Sequence, residues 1–351
     1  MDLDSIAEWS RYVVTCALIA YLASWLVFAS EAGLRGRIRR ENAQRAADRN
    51  TELAAVATTD SGRGAAGDGP GVGSQGPDSP GQANAADGGA SGSNDLTGYL
   101  SDQADLKGRL GQAFLVLATG VLAVGVTMRA VGTGRAPWGN MYEFSITAAL
   151  LASIVFLVMS RTAPGRAVAG WVVLFVFITL GLAVTVLYVP PGPLVPALRS
   201  YWLVIHVGLT VIAFALFTVA AAIGALQIAA QRAERRGRPG RITASLPESS
   251  VLDRLGYRLI AIGFPLWTIG PLILGAIWAE VSWGRYWGWD PKEVWALITW
   301  LVYAAYLHAR ATAGWKGSKA SVVGLVGFAT AMFSYFGVNI FFEGLHSYGG
   351  L

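Results

Sequence analysis

Three histidines and a crowd of tryptophans are the residues of this 351-residue chain whose types and spacing could do chemistry. His206 and His346 stand near the ends of apolar runs, and His308 stands inside another. Imidazole is the commonest metal ligand among side chains and carries protons near neutral pH. Between Trp278 and Trp300 the sequence WAEVSWGRYWGWDPKEVWALITW holds six of the chain's 13 tryptophans. Trp283, Trp287 and Trp289 fall within seven positions that end just before Asp290. Indoles are flat apolar plates with one N–H donor, at home where oil meets water. An interfacial aromatic belt accounts for one or two tryptophans per helix end. Clustering in one loop, with Gly284 and Gly288 relieving the crowding, reads instead as a platform for a flat aromatic ligand.

The elements that must position these groups are membrane spans. The chain is 54% apolar and only 14% charged, where soluble domains carry about a quarter charged residues. The single cysteine, Cys16, excludes an internal disulfide, a C-x-x-C redox pair and a cysteine zinc site. The net charge of +5 sits between apolar runs, where orientation signals belong, so no nucleic-acid partner is expected. No hydrolase-type nucleophile and base and no phosphate loop are visible.

Hydropathy predicts an all-α polytopic membrane bundle of about eight transmembrane helices in the cytoplasmic membrane. The first covers 12–30. Its flank is acidic before (Asp2, Asp4, Glu8) and basic after (Arg35, Arg37, Arg39, Arg40), which favours an uncleaved helix with its N-terminus outside. Residues 31–107 hold no apolar run, and from Ser61 to Gly98 they are Gly, Ala, Ser, Asp, Asn and Pro-rich, which predicts a disordered cytoplasmic linker. Residues 108–351 read as a core of seven further spans, near 110–128, 143–160, 168–188, 201–229, 256–279, 294–311 and 320–341. In this arrangement 21 of the 27 Lys and Arg residues lie inside and 6 outside. Both termini and the tryptophan loop at 280–294 then face the extracytoplasmic side. Pro265 and Pro271 predict a kink in the sixth span, just before that loop.

This topology brings two imidazoles to the indole platform. His206 lies about six residues into the fifth span, or roughly 9 Å below the outer surface, and His346 lies just beyond the eighth. His308 is 13 residues beyond Trp295 and so ~20 Å deeper, where polar groups are costly and usually functional. Each histidine also has a plainer reading, as a hydrogen-bonded packing residue. Zinc prefers four protein ligands, and no further His or Cys is near. Haem iron needs only two axial ligands, because the porphyrin supplies the other four. The porphyrin wants aromatic walls and its propionates want cations, which Arg285 and Lys292 offer. Bis-imidazole haem, as haem b, is the simplest ligand for these parts. His308 then either ligates nothing or meets an imidazole from a second subunit.

The run WGRYWGWDPKEVWALITW (283–300) resembles the WWD domain of the CcsA/ResC family of System II cytochrome c maturation. SYWLVIHVGL (200–209) is similar to the family segment with the first external histidine, here His206. NIFFEGLHSYGG (339–350) is similar to the segment with the second, here His346. YAAYLH matches the position of the membrane-embedded histidine, here His308, and PWGNMYEF (137–144) is similar to a family loop. The resemblance covers about 110–351. It implies a haem-handling subunit of a cytochrome c synthase that holds haem with His206 and His346 against Trp283, Trp287 and Trp289. The haem vinyl groups would be presented to the C-x-x-C-H thiols of apocytochrome c. It also implies a CcsB/ResB-type membrane partner, which would share a haem in the bilayer with His308. A haem exporter without a role in ligation and a scaffold without a cofactor are the competing readings. Asp290 and Glu293 are expected to orient an indole N–H or the haem edge, to pair with Arg285 and Lys292 or, as the stronger reading, to cap the seventh helix in a capping box.

Overall fold

The computed structural model describes residues 3–63, 87–192, 199–237, 240 and 243–346, and among them every regular element is helical. Helix α1 (Leu3–Arg63) and helix α2 (Asp87–Thr133) lie antiparallel. Gly111, Gly125 and Gly132 press the α2 backbone against Phe28, Val14 and Ala7, the close approach that small residues permit between membrane helices. Residues 31–63 and 87–107, expected to lack structure, are a correction: they continue α1 and begin α2. The reason is local. Residues 31–54 are rich in Ala, Glu, Arg, Gln and Leu, which are strong helix formers. The extension is also tied down, because Arg35 bonds Glu31 and Asp105, and Arg39 donates to the carbonyls of Ala244 and Leu246. The middle of the expected linker, 64–86, lies outside the described residues.

Helices α3 (Met141–Met159), α4 (Ala163–Ala167) and α5 (Ala169–Thr185) follow, then α6 (Tyr201–Arg235), which is buried on most of its faces and forms the axis of the bundle. The next span is built of α7 (Ser249–Trp267), a π-helical stretch at Thr268–Leu274 and α8 (Gly275–Trp283). Helix α9 (Pro291–Thr312) leaves the tryptophan loop. The last span joins α10 (Ser318–Met332), a second π-helical stretch at Phe333–Gly337 and α11 (Val338–Phe341). Six of these helices are long and apolar enough to cross a bilayer. The shorter α5 and the more polar α9, with Lys292, Glu293, His308 and Arg310, complete the eight expected spans. The protein is a multi-pass membrane protein.

The kink expected from Pro265 and Pro271 takes the form of the first π stretch, which contains Pro271. Its wider ring lets the Gly270 carbonyl accept the Gly275 N–H five residues on. Such π turns occur mostly as single insertions and often at functional sites. Both π stretches here run into the same end of the bundle.

Candidate functional site: a histidine cleft beside the tryptophan loop

His206 lies in the second turn of α6, facing the first π stretch. Its Nδ1 is 2.9 Å from the Gly270 carbonyl. A carbonyl oxygen can only accept, so Nδ1 carries the proton and Nε2 keeps a lone pair. Two glycines permit the approach. A Cβ at Gly270 would sit 2.9 Å from Leu209 Cβ, and one at Gly275 would sit 3.0 Å from His206 Cε1. The imidazole is parallel to the Trp278 indole, 5.8 Å between centroids and 9° between planes.

His346 is held by a different device. After α11 the chain becomes extended at Phe342 and returns over the start of α9. Asp290 accepts from His346 Nδ1 at 2.7 Å and from the Leu345 N–H at 2.7 Å. Asp290 is also the N-cap of α9, accepting from the Lys292 N–H, while Glu293 Oε2 reaches back to the N–H groups of Asp290 and Gly288. One buried carboxylate therefore starts α9 and fixes the tail imidazole. Burial pushes the Asp290 carboxyl up, but the hydrogen bond from His346, with the Leu345 and Lys292 N–H bonds, outweighs it and holds the group below the usual carboxylate range. As at Gly270, Nδ1 is spent on an acceptor and Nε2 is left.

Trp278 joins the two histidines. Its ring is 5.4 Å from His346 and 4.6 Å from Trp283, and Trp283 meets His346 edge-on at 4.9 Å. A larger and a smaller cleft meet along His206, Thr210, Trp267, Lys292, Ser334 and His346. The larger is closed by Trp138, Phe144 and Tyr335, and the smaller by Tyr286, Trp287 and Glu293. Lys292 has no carboxylate within ion-pair distance among the described residues. Arg285 folds across Gly288, where a Cβ would collide with its guanidinium.

The structure thus brings His206, His346, Trp283, Trp287, Asp290 and Glu293 together. Trp289 is different. It is 70% exposed, meets Trp287 edge-on and has no ring contact with either histidine, and it is the one non-glycine with a left-handed backbone (φ 59°) among the described residues. His308 also stands apart, exposed on α9 near its far end. Its neighbour Arg310 is engaged by both Asp253 oxygens, at 2.8 and 2.9 Å, and lies over the Tyr257 ring.

Sequence reading missed Trp278, Trp138 and a buried ion cluster. Glu143, fully buried, takes Arg129 Nε at 2.9 Å, Arg135 Nη1 at 2.6 Å and the Gly139 N–H at 2.8 Å. Asn140 caps α3 by accepting the Glu143 N–H. The cluster fixes the 134–140 turn that delivers Trp138 to the cleft. Its one sequence signal was the PWGNMYEF run itself. Among the described residues no three His, Cys, Asp or Glu side chains gather as a metal cage. Two lone imidazoles in an aromatic cleft fit a metal only if a flat macrocycle brings the remaining donors.

Residues 138–346 match the family model described as cytochrome C assembly protein. The chain belongs to that family. It is 36% identical over 269 residues to the cytochrome c biogenesis protein CcsA of Chlamydomonas reinhardtii, covering 74% of each chain. It is 34% identical over 294 residues to CcsA of Synechococcus elongatus, covering 70% of this chain and 89% of the relative. CcsA of Guillardia theta is 36% identical over 262 residues, or 69% and 86% of the two chains. The resemblance to the CcsA family read from the tryptophan loop is therefore correct, and the protein is a membrane component of cytochrome c biogenesis. The matched region begins at Trp138 and ends at His346, both of which line the larger cleft.

Proposed function

We propose that the chain binds haem, as haem b, in the cleft between His206 and His346 and presents it to apocytochrome c. The observation that carries this reading is the shared state of the two imidazoles. Each gives Nδ1 to a fixed acceptor, Gly270 O or Asp290, so each has Nε2 left to ligate, and both line the same pair of cavities. Acceptors of this kind orient an imidazole and raise its basicity as a ligand. Trp278 and Trp287 line the clefts and Trp283 packs against His346, which supplies flat apolar contact, and Lys292 supplies a cation for a propionate. The protein's contribution to the reaction is positioning. Each thiol S–H of a C-x-x-C-H segment adds across one vinyl group, sulfur to one carbon and hydrogen to the other, with no change in electron count.

The charge bias supports an orientation with this end of the bundle and both termini on the extracytoplasmic side of the cell membrane. His308, exposed on α9, is offered to a CcsB/ResB-type partner that would complete a second pair of ligands. The same exposed histidine favours a second reading, haem export through the bilayer without a role in ligation. A His206→Ala, His346→Ala double variant, present in the membrane at normal level, should lose its haem and stop cytochrome c assembly. Retained haem with intact assembly contradicts the proposal. Haem supplied from outside separates the two readings, because it bypasses an exporter and does not bypass a synthase subunit.

A further inference from the structure

Behind the histidine cleft lies a second, apolar cavity, bounded by α3, α5, α6 and the second π stretch. Phe144, Phe214 and Tyr335 line both spaces and form the partition between them. Phe144 stacks on Tyr335 at 4.6 Å, and Phe214 meets each of them at 5.8 Å. The Tyr335 hydroxyl is fixed by Ser145 Oγ at 2.8 Å and by the Met141 carbonyl at 2.6 Å. Beyond the rings the space exists because α3 presents Ala148, Ala149 and Ala152 there. At the rim, Ile178 and Leu182 of α5 are 58% and 37% exposed, so the cavity opens sideways to the bilayer.

The lining limits the occupant. No charged side chain lines the cavity among the described residues; the Ser145 and Thr179 hydroxyls are already bonded, Thr179 to the Phe175 carbonyl, which leaves the Thr218 hydroxyl as the one small polar group facing it. A haem lodged here would leave two propionates without donors, a costly burial. A hydrocarbon chain brings no polar group of its own to bury and recovers the dispersion contacts an empty apolar space forfeits. We infer that an acyl chain of a bilayer phospholipid enters past α5 and fills this cavity, seated against the three rings that back the histidine cleft. The chain is then part of the cleft's inner wall. The inference stands on the cavity alone and does not depend on what the cleft binds.

The test is photolabelling of the full chain in vesicles of phosphatidylcholine carrying a diazirine in mid-chain. Label is expected on Val176 and Tyr335, which face the cavity, as well as on the outward-facing Ile154 and Val158. An Ala148→Leu, Ala152→Leu variant fills the space and should cut the Val176 and Tyr335 label several-fold while sparing Ile154 and Val158. The milder Ala149→Val should give a partial loss, which covers the case of a double variant that does not fold. Label confined to Ile154 and Val158 in the unsubstituted chain overturns the inference, as does label at Val176 and Tyr335 that neither variant lowers. So does haem, in place of lipid, crosslinked within the cavity. None of these outcomes requires haem at His206 or His346, so this inference and the proposed function fail separately.

Discussion

At the tryptophan-loop end of the bundle, His206 and His346 each have one ring nitrogen tied to a fixed acceptor and share a cleft, whereas at the far end of α9 His308 projects exposed from the helix. The charged groups differ in the same sense. Glu143 and Arg129 beside the cleft are fully buried, while Asp253 and Arg310 near His308 remain part exposed. A binding site needs ligands held before the substrate arrives, and that holding comes from neighbours that lock rotamers. One end has this support within the chain. The other presents a histidine without it, as expected of a group that meets something outside the chain.

The comparison breaks most easily at the ion clusters. Glu143→Ala strands the buried Arg129 and should cost about 3–5 kcal/mol, lowering the thermal midpoint in detergent and loosening Trp138. Asp253→Ala should cost less, because both partners there are part exposed. Equal losses would mean that the two ends are built alike.

Asp290 sharpens the contrast. Asp290→Ala removes a helix cap worth about 1 kcal/mol and the charged tether of the tail, worth about 1.5–3 kcal/mol. Asn keeps a capping oxygen, so Asp290→Asn should recover stability while leaving His346 poorly held and haem weakly bound. Because the Asp290 carboxyl is held below its unfolded range, its contribution is complete above the ordinary carboxylate pKa. It is lost only as pH falls through the lowered value. Tryptophan fluorescence of the loop followed downward in pH should therefore change later in the native chain than ordinary carboxylate titration predicts.

A smaller effect is expected at Gly275. An alanine there crowds His206 Cε1 and should cost about 1–3 kcal/mol, with a shifted haem spectrum as its signature. His308→Ala should leave the spectrum of the cleft unchanged. Smallest of all is Trp289→Gly, which relieves a left-handed backbone worth roughly 1–2 kcal/mol. It should stabilise slightly and leave haem in place, where loss of Trp278 would not.

Much of this was legible because hydropathy and charge bias are one-dimensional signals: eight spans and the meeting of His206, His346 and the loop follow from counting. The D-P-K-E run also announced the cap of α9. What stayed hidden depends on contacts between distant segments. Pro271 signalled a kink but not that a π turn would aim the Gly270 carbonyl at His206. Nothing in the sequence said that Asp290 would also bond the tail. Trp278 was absorbed into its span, and Trp289 was grouped with the platform because spacing does not reveal a positive φ. The α1 extension was missed since its lack of apolar residues outweighed its helix propensity, and its tethers to Asp105 and the 244–246 carbonyls are tertiary.

The most direct measurement is electron paramagnetic resonance of the purified full-length chain with bound ferric haem. The account predicts a low-spin bis-imidazole signal in the native chain. It predicts a high-spin signal in His346→Ala and in His206→Ala, with added imidazole restoring low spin in each. A native low-spin signal that survives both single substitutions unchanged would contradict it.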